Sequence, residues 1–187
     1  MKKIVVGISG ASGVMLGIEL LKVLKDMQDV ETHLVMSDNS LVTAEAETDM
    51  KPEDIRKLAD YTYGFYDMAA DISSGSYHTD GMVIIPCSMK TLAGAACGFS
   101  DNLLLRAADV TIKEGRKLVV VPREAPFSRI HLKNMLTLTE CGAVIIPPVM
   151  TFYSRQETSS EMAAYLCGKI LDQFGIDYKG YCRWGSR

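Results

Sequence analysis

The sequence contains no apolar run near the ~18 residues that a membrane-spanning helix needs, so no membrane span is expected. It contains no Cys-x-x-Cys pair. Its five cysteines, Cys87, Cys97, Cys141, Cys167 and Cys182, are odd in number and widely spaced. That argues against a disulfide framework and against a zinc ribbon. Most of them are expected to be buried small hydrophobes in a reducing compartment. There is no His-Glu-x-x-His, no G-x-S-x-G elbow, no Asp-Asp-x-x-Asp cluster for a magnesium diphosphate and no obvious set of metal ligands. Without a metal site, any phosphate must be held by Arg, Lys, hydroxyls and backbone N–H groups. An excess of one charge is missing too: 20 Lys and Arg against 23 Asp and Glu leave a net charge of −3. The chain as a whole is therefore no nucleic-acid binder. Met1-Lys2-Lys3 leads straight into Ile4-Val5-Val6-Gly7, an apolar stretch too short for a signal peptide core. The cytoplasm is the default location.

What is present is ordinary globular composition. The 187 residues, 48% apolar and 23% charged, suit one domain over 1–187 with a core of normal size. Short Val- and Ile-rich runs recur at 4–8, 33–36, 82–85, 118–121 and 143–146. Continuous apolar runs of this length read as parallel strands covered on both faces. Between them lie helical repeats: Met15, Leu16, Leu20, Val23, Leu24 and Met27; Leu103, Leu104, Ala107, Ala108 and Ile112; Ile130, Met135, Leu138 and Cys141. Residues 158–174 form a closing helix with Met162, Leu166, Ile170 and Leu171 on one face, and Pro52 opens a helix at its first position. The alternation predicts a three-layer α/β fold, Rossmann- or flavodoxin-like, with a parallel sheet between two helical layers. The tail at 176–187, with Tyr178, Tyr181 and the sole tryptophan Trp184, is expected to dock on a neighbouring subunit.

In such sheets ligands sit beyond the carboxyl ends of the strands. The first run ends in Gly7-Ile8-Ser9-Gly10-Ala11-Ser12-Gly13. Its G-x-x-G-x-x-G spacing departs from the dinucleotide fingerprint and lacks the Gly-Lys-Ser/Thr of a P-loop. It serves either a close backbone approach to an anion or a tight turn without a ligand. The second run ends in Ser37, a natural N-cap, and Asp38, which suits a ribose hydroxyl. Glu45, Glu47 and Asp49 come next, read by themselves as an exposed acidic helix end. The third run ends in Pro86-Cys87-Ser88-Met89-Lys90-Thr91, whose hydroxyls, lysine and helix N–H groups make an oxyanion cradle. Arg106 and Lys113, seven apart, share one helix face, the usual pattern of a solvated surface. Pro122-Arg123-Glu124-Ala125-Pro126 is a rigid charged corner that offers either a phosphate-binding fork or an Arg-Glu ion pair.

Taken together, Gly7–Gly13, Glu47-Thr48-Asp49, Pro86–Thr91, the segment Asn102-Leu103-Leu104-Leu105-Arg106-Ala107-Ala108-Asp109-Val110 and Val121-Pro122-Arg123-Glu124 closely resemble the UbiX/Pad flavin prenyltransferases, in family order and over essentially the whole chain. The resemblance implies FMN at Gly10, Ala11, Ser12, Ser37, Ser88, Met89, Lys90, Thr91 and Arg123. It implies dimethylallyl phosphate at Arg106, Lys113, Arg123, Tyr153 and Lys169, with Lys169 standing where the family usually has arginine. Lysine keeps the charge and gives up the two-pronged geometry. The catalytic positions it implies are Glu47, Lys113, Glu124 and Trp184. It further implies a dodecamer with shared sites, reduced FMN as the prenyl acceptor, no metal, and a UbiD-type decarboxylase as the recipient of prenylated FMN. An FMN-dependent decarboxylase, an NAD-linked oxidoreductase and a non-catalytic flavin carrier are the rival readings. The first is weakened by the absence of a Pro-x-Met-Asn-x-x-Met-Trp signature in this chain.

Overall fold

The computed structural model describes residues 1–153 and 155–185; the last two residues of the tail lie outside the described residues. In chain order the elements are β1 (Lys2–Ile8), α1 (Val14–Lys25), β2 (Val30–Met36), α2 (Asp38–Glu47), α3 (Pro52–Arg56), β3 (Tyr61–Tyr63), β4 (Gly81–Cys87), α4 (Met89–Ala96), α5 (Leu103–Lys113), β5 (Lys117–Pro122), α6 (Arg129–Glu140), β6 (Val144–Ile145) and α7 (Ser159–Gln173). The strands form one sheet in the order β3-β2-β1-β4-β5-β6, with every neighbouring pair parallel. The strand order reverses between β1 and β4, which opens a crevice at their carboxyl ends.

Side chains alternate across each buried strand. Ile4, Val6, Ile8, Val83, Ile85, Val119 and Val121 join Leu20, Leu21 and Leu24 of α1 and Leu166, Ile170 and Leu171 of α7 in one core. Val5, Met82, Ile84, Leu118 and Val120 join Leu92 of α4, Leu103, Leu104, Ala107 and Ala108 of α5 and Leu138 of α6 in the other. The predicted three layers are thus observed. Pro52 stands at the start of α3, and Thr158 caps α7 through the Glu161 N–H.

Three expectations change. The edge strand β3 is three residues long and mostly exposed, so it lacks the apolar run by which the other strands were read. Only Cys87 and Cys167 are buried, while Cys97, Cys141 and Cys182 are exposed. Of the apolar repeat assigned to α6 only Leu138 is buried; Ile130 is 70% exposed, together with Leu132 and Leu136. That helix shows the sheet a narrower face than its spacing suggested.

Candidate active site

The carboxyl ends of β1, β2, β4 and β5 are tied together by hydrogen bonds. The Ser37 N–H donates to the Ile8 carbonyl (3.0 Å) and the Arg123 N–H to the Cys87 carbonyl (3.0 Å). Ser9 is buried; its hydroxyl donates to the Pro86 carbonyl (2.9 Å) and accepts from the Ser88 N–H (2.8 Å). Two helices start at this edge with side-chain caps. Ser37 Oγ accepts from the Ser40 N–H (3.2 Å), and Ser88 Oγ accepts from the Thr91 N–H (3.3 Å) while donating to Thr91 Oγ1 (3.1 Å). Gly10 lies so close to α2 that an added Cβ would stand 2.3 Å from the Asn39 Cβ.

Around these starts lies a cavity of about 460 Å³ lined by Gly10, Ser37, Ser88, Lys90 and Thr91, with Phe65, Tyr66 and Phe99 as aromatic walls. Polar groups collect at the helix starts and apolar ones on the walls, the division expected of a pocket for a planar ring bearing an anionic tail. Ala11 and Ser12 lie in the turn beside it, and Met89 starts α4. Asn39, Phe65, Tyr66, Phe99 and Asn102 also line the cavity and were missed by sequence reasoning. Phe65 and Tyr66 come just after the short edge strand, and only the Asn102 cap of α5 carried a readable signal.

Glu47 closes the other side of the glycine turn. Gly13 caps α1 in a left-handed conformation, φ 97°. The Glu47 carboxylate accepts from the Gly13 N–H (2.8 and 3.0 Å) and the Val14 N–H (3.0 Å). It thereby meets the positive end of the α1 dipole. The Arg123 side chain also approaches this turn: its Cγ would lie 4.0 Å from a Cβ on Gly13. Glu124 binds the N–H of its own neighbour Ala125 (3.1 Å), and among the described residues it forms no ion pair with Arg123.

A second cavity, about 510 Å³, is lined by Phe152, Tyr153, Arg155, Cys182, Arg183, Trp184 and Gly185. The Trp184 ring meets Tyr153 edge-on at 5.1 Å, and Tyr165 meets Tyr153 edge-on at 6.4 Å. Burial and then the hydrogen bond with Tyr165 raise the Tyr153 phenol above its ordinary range, and the nearby Lys169 charge opposes them. Tyr153, Lys169 and Trp184 therefore come together. Arg106 and Lys113 do not join them within one chain. Arg106 donates to the Ser73 carbonyl (3.0 Å) and to Asp109 (2.7 Å). Lys113 pairs with Glu114 at the far end of α5.

Lys90, Arg123 and Lys169 form no hydrogen bond or ion pair through their side chains among the described residues, so all three charges are free to meet an anion. Cys87 is fully buried and burial pushes its thiol far up, which removes it as a nucleophile. Among the described residues no group of three or more His, Cys, Asp or Glu side chains is placed to hold a metal, and no helix is long and apolar enough to cross a membrane.

A parallel α/β sheet with a cavity at its switch point, set against capped helix starts and Lys90, is the architecture of a nucleotide- or flavin-type binding protein, and the family model described as Flavoprotein matches residues 1–172. A probable UbiX-like flavin prenyltransferase of Sedimentibacter hydroxybenzoicus is 53% identical over 182 residues, 97% of this chain and 96% of that protein. The dodecameric FMN-dependent UbiX-like decarboxylase of Escherichia coli O157:H7 superposes with a TM-score of 0.96 at 50% identity, covering 98% of this chain and all of that one. AnUbiX (PadA1), solved with FMN and dimethylallyl pyrophosphate, gives a TM-score of 0.96 at 48% identity, covering 100% of this chain and 98% of that one. The chain belongs to the UbiX-like flavin prenyltransferases, and as such is a transferase.

Proposed function

We propose that this chain joins the dimethylallyl group of dimethylallyl phosphate to N5 and C6 of reduced FMN, with the flavin in the cavity at the ends of β1, β2 and β4. The observation that carries the reading is that capped, aromatic-walled cavity at the strand ends, and a second cavity lined by Tyr153 and Trp184 supports it. The residues fit the flavin. Ser37, Ser88, Thr91 and the α2 and α4 starts suit its phosphate, Lys90 and Arg123 supply charge, and the close approach at Gly10 leaves backbone rather than side chain against it.

When bound, reduced FMN supplies the two nucleophilic positions. The chain supplies the rest. Arg123, Lys169 and Tyr153 hold the prenyl phosphate and stabilise the charge that grows on it as the allylic C–O bond breaks. Trp184 offers its π face to the dimethylallyl cation, worth about 0.5–2 kcal/mol. Glu47 handles the proton at N5 from the edge of the glycine turn, and the released phosphate takes up the proton displaced from C6. The apolar walls keep water from quenching the cation. Arg106, Lys113 and Glu124 complete the site across subunits, in a dodecamer like that of the Escherichia coli relative. The tail contacts that neighbouring subunit as well as α7. The product passes to a UbiD-type decarboxylase in the cytoplasm.

The test is anaerobic incubation with reduced FMN and dimethylallyl phosphate, then mass analysis of the flavin. Gain of one C5H8 unit is expected, and unmodified flavin overturns the reading. Direct decarboxylation is the activity ascribed to two relatives of solved structure, from Escherichia coli O157:H7 and Aquifex aeolicus. It predicts carbon dioxide release from aromatic acids by the pure protein alone; the transferase reading predicts none.

A further inference from the structure

We propose that Asp172 is a positioning residue: from the last turn of α7 it fastens the tail through Arg183 and Tyr181, and so seats Trp184 against Tyr153 over the second cavity. This rests on the reading that the cavity takes the prenyl phosphate, and it assigns what holds the aromatic wall in place. Three donors converge on the one carboxylate. Arg183 Nη1 reaches Oδ2 at 3.0 Å and Nη2 reaches Oδ1 at 2.6 Å, a two-pronged fork. The Tyr181 hydroxyl donates to Oδ2 at 2.8 Å. The Arg183 guanidinium lies over the Tyr181 ring at 4.7 Å, and that ring meets Tyr165 edge-on at 5.7 Å.

Trp184 is the next residue in the chain and is 80% exposed. A ring so exposed gains little from its own burial, so its place is set by the anchored residues just before it. Lys169 stands one turn earlier on α7, three residues from Asp172. The hydrogen bonds of Asp172 go to Arg183 and Tyr181, and the Arg183 fork donates to Asp172. Lys169 is left to meet a phosphate.

Trp184 is the sole tryptophan, so its emission reports on the tail directly. The full-length protein and its Asp172→Asn variant are compared by Trp184 emission, by acrylamide quenching, by the KM for dimethylallyl phosphate and by FMN titration. The expected result is altered emission with stronger quenching, a KM raised about three- to tenfold, and FMN affinity within about twofold of the parent. Arg183→Met should reproduce these changes, and the double variant should be no worse than either single one. Asp54→Asn, which removes the exposed α3 partner of Lys57, should change none of them. Parental emission in Asp172→Asn, or a raised KM without altered emission, overturns the proposal. Parent protein that leaves FMN unmodified overturns the functional reading instead, while the emission comparison still decides the role of Asp172.

Discussion

The two edges of the sheet treat their charges in opposite ways. At the amino edge the charges of the central strands are committed. Lys3 pairs with Glu31 (3.0 Å) and donates to the Tyr77 hydroxyl (3.1 Å). His33, fully buried, spans Glu31 (3.0 Å) and Tyr63 (2.9 Å). Arg116 donates to the carbonyls of Gly75 (2.7 Å) and Tyr77 (3.0 Å). Although burial pushes the Glu31 carboxyl up, the hydrogen bonds from Lys3 and His33 hold it below its ordinary range. At the carboxyl edge Lys90 and Arg123 form no ion pair among the described residues. Cations held without counter-charges contribute little to stability and are placed to receive an anion. Substitutions at the carboxyl edge should therefore cost function at constant stability, and those at the amino edge stability at constant function.

The sharpest break comes at Glu47. Glutamine can still accept the Gly13 and Val14 N–H groups through its amide oxygen but handles no proton. Glu47→Gln should keep FMN and dimethylallyl phosphate binding and slow single-turnover prenylation by about 10²-fold or more. Rates equal to the parent would return Glu47 to a plain helix cap. Next comes Lys169→Met. Loss of an interaction with a charged group costs ~1.5–3 kcal/mol, which is about one to two powers of ten in the dimethylallyl phosphate constant. Lys169→Arg should preserve or improve binding through its two prongs, and FMN titration and urea midpoints should move in neither variant.

The same contrast explains how much was legible in the sequence. A buried parallel strand is an unbroken apolar run, and the chain must turn where that run stops, so the strand-end turns at 7–13 and 86–91 could be read. The caps Ser37 and Ser88 announced themselves by residue type. The grouping of Tyr153, Lys169 and Trp184 was legible only as an ordered resemblance: they come from a loop, a helix and the tail, and no spacing rule links them. Phe65 and Tyr66 escaped because β3 is exposed on the sheet edge and has no apolar pattern. The meeting of Glu47 with Gly13 joins residues 34 apart, and its residues alone read as an acidic helix end. The burial of His33 was likewise invisible, since a single polar residue inside an apolar run does not reveal its partners.

Arg116→Met tests the amino edge. It removes the donors to two loop carbonyls and a contact with Thr79 Oγ1 at 3.4 Å. Unfolding in urea should show a loss of about 2 kcal/mol, with FMN affinity unchanged. A weakened flavin constant at parental stability would break the division between the two edges.

The smallest effect is expected at His33, and it depends on pH. Burial lowers the pKa of this imidazole below its ordinary value of 6.5, outweighing the hydrogen bond and charge of Glu31, which raise it. Lys3 lowers it further and Asp60 opposes that. The ring is enclosed by Tyr61, stacked at 5.0 Å, Tyr63, stacked at 5.9 Å, and Tyr77, edge-on at 5.6 Å. A proton on the ring is therefore held less tightly in the folded chain than in the unfolded one. The unfolded state binds more protons as pH falls, so this contribution to stability is complete above about pH 6.5 and is lost on acidification through the lower folded pKa. A loss of stability between about pH 7 and pH 5 is expected. His33→Asn should be less stable at neutral pH, where it lacks the bridge to Glu31 and Tyr63, and should show a shallower decline with acid. Urea midpoints for both proteins across that range make the comparison; parallel slopes would mean that His33 does not titrate there. Flavin affinity, measured alongside at neutral pH, should be the same in both, because the bridge lies at the edge of the sheet away from the cavity.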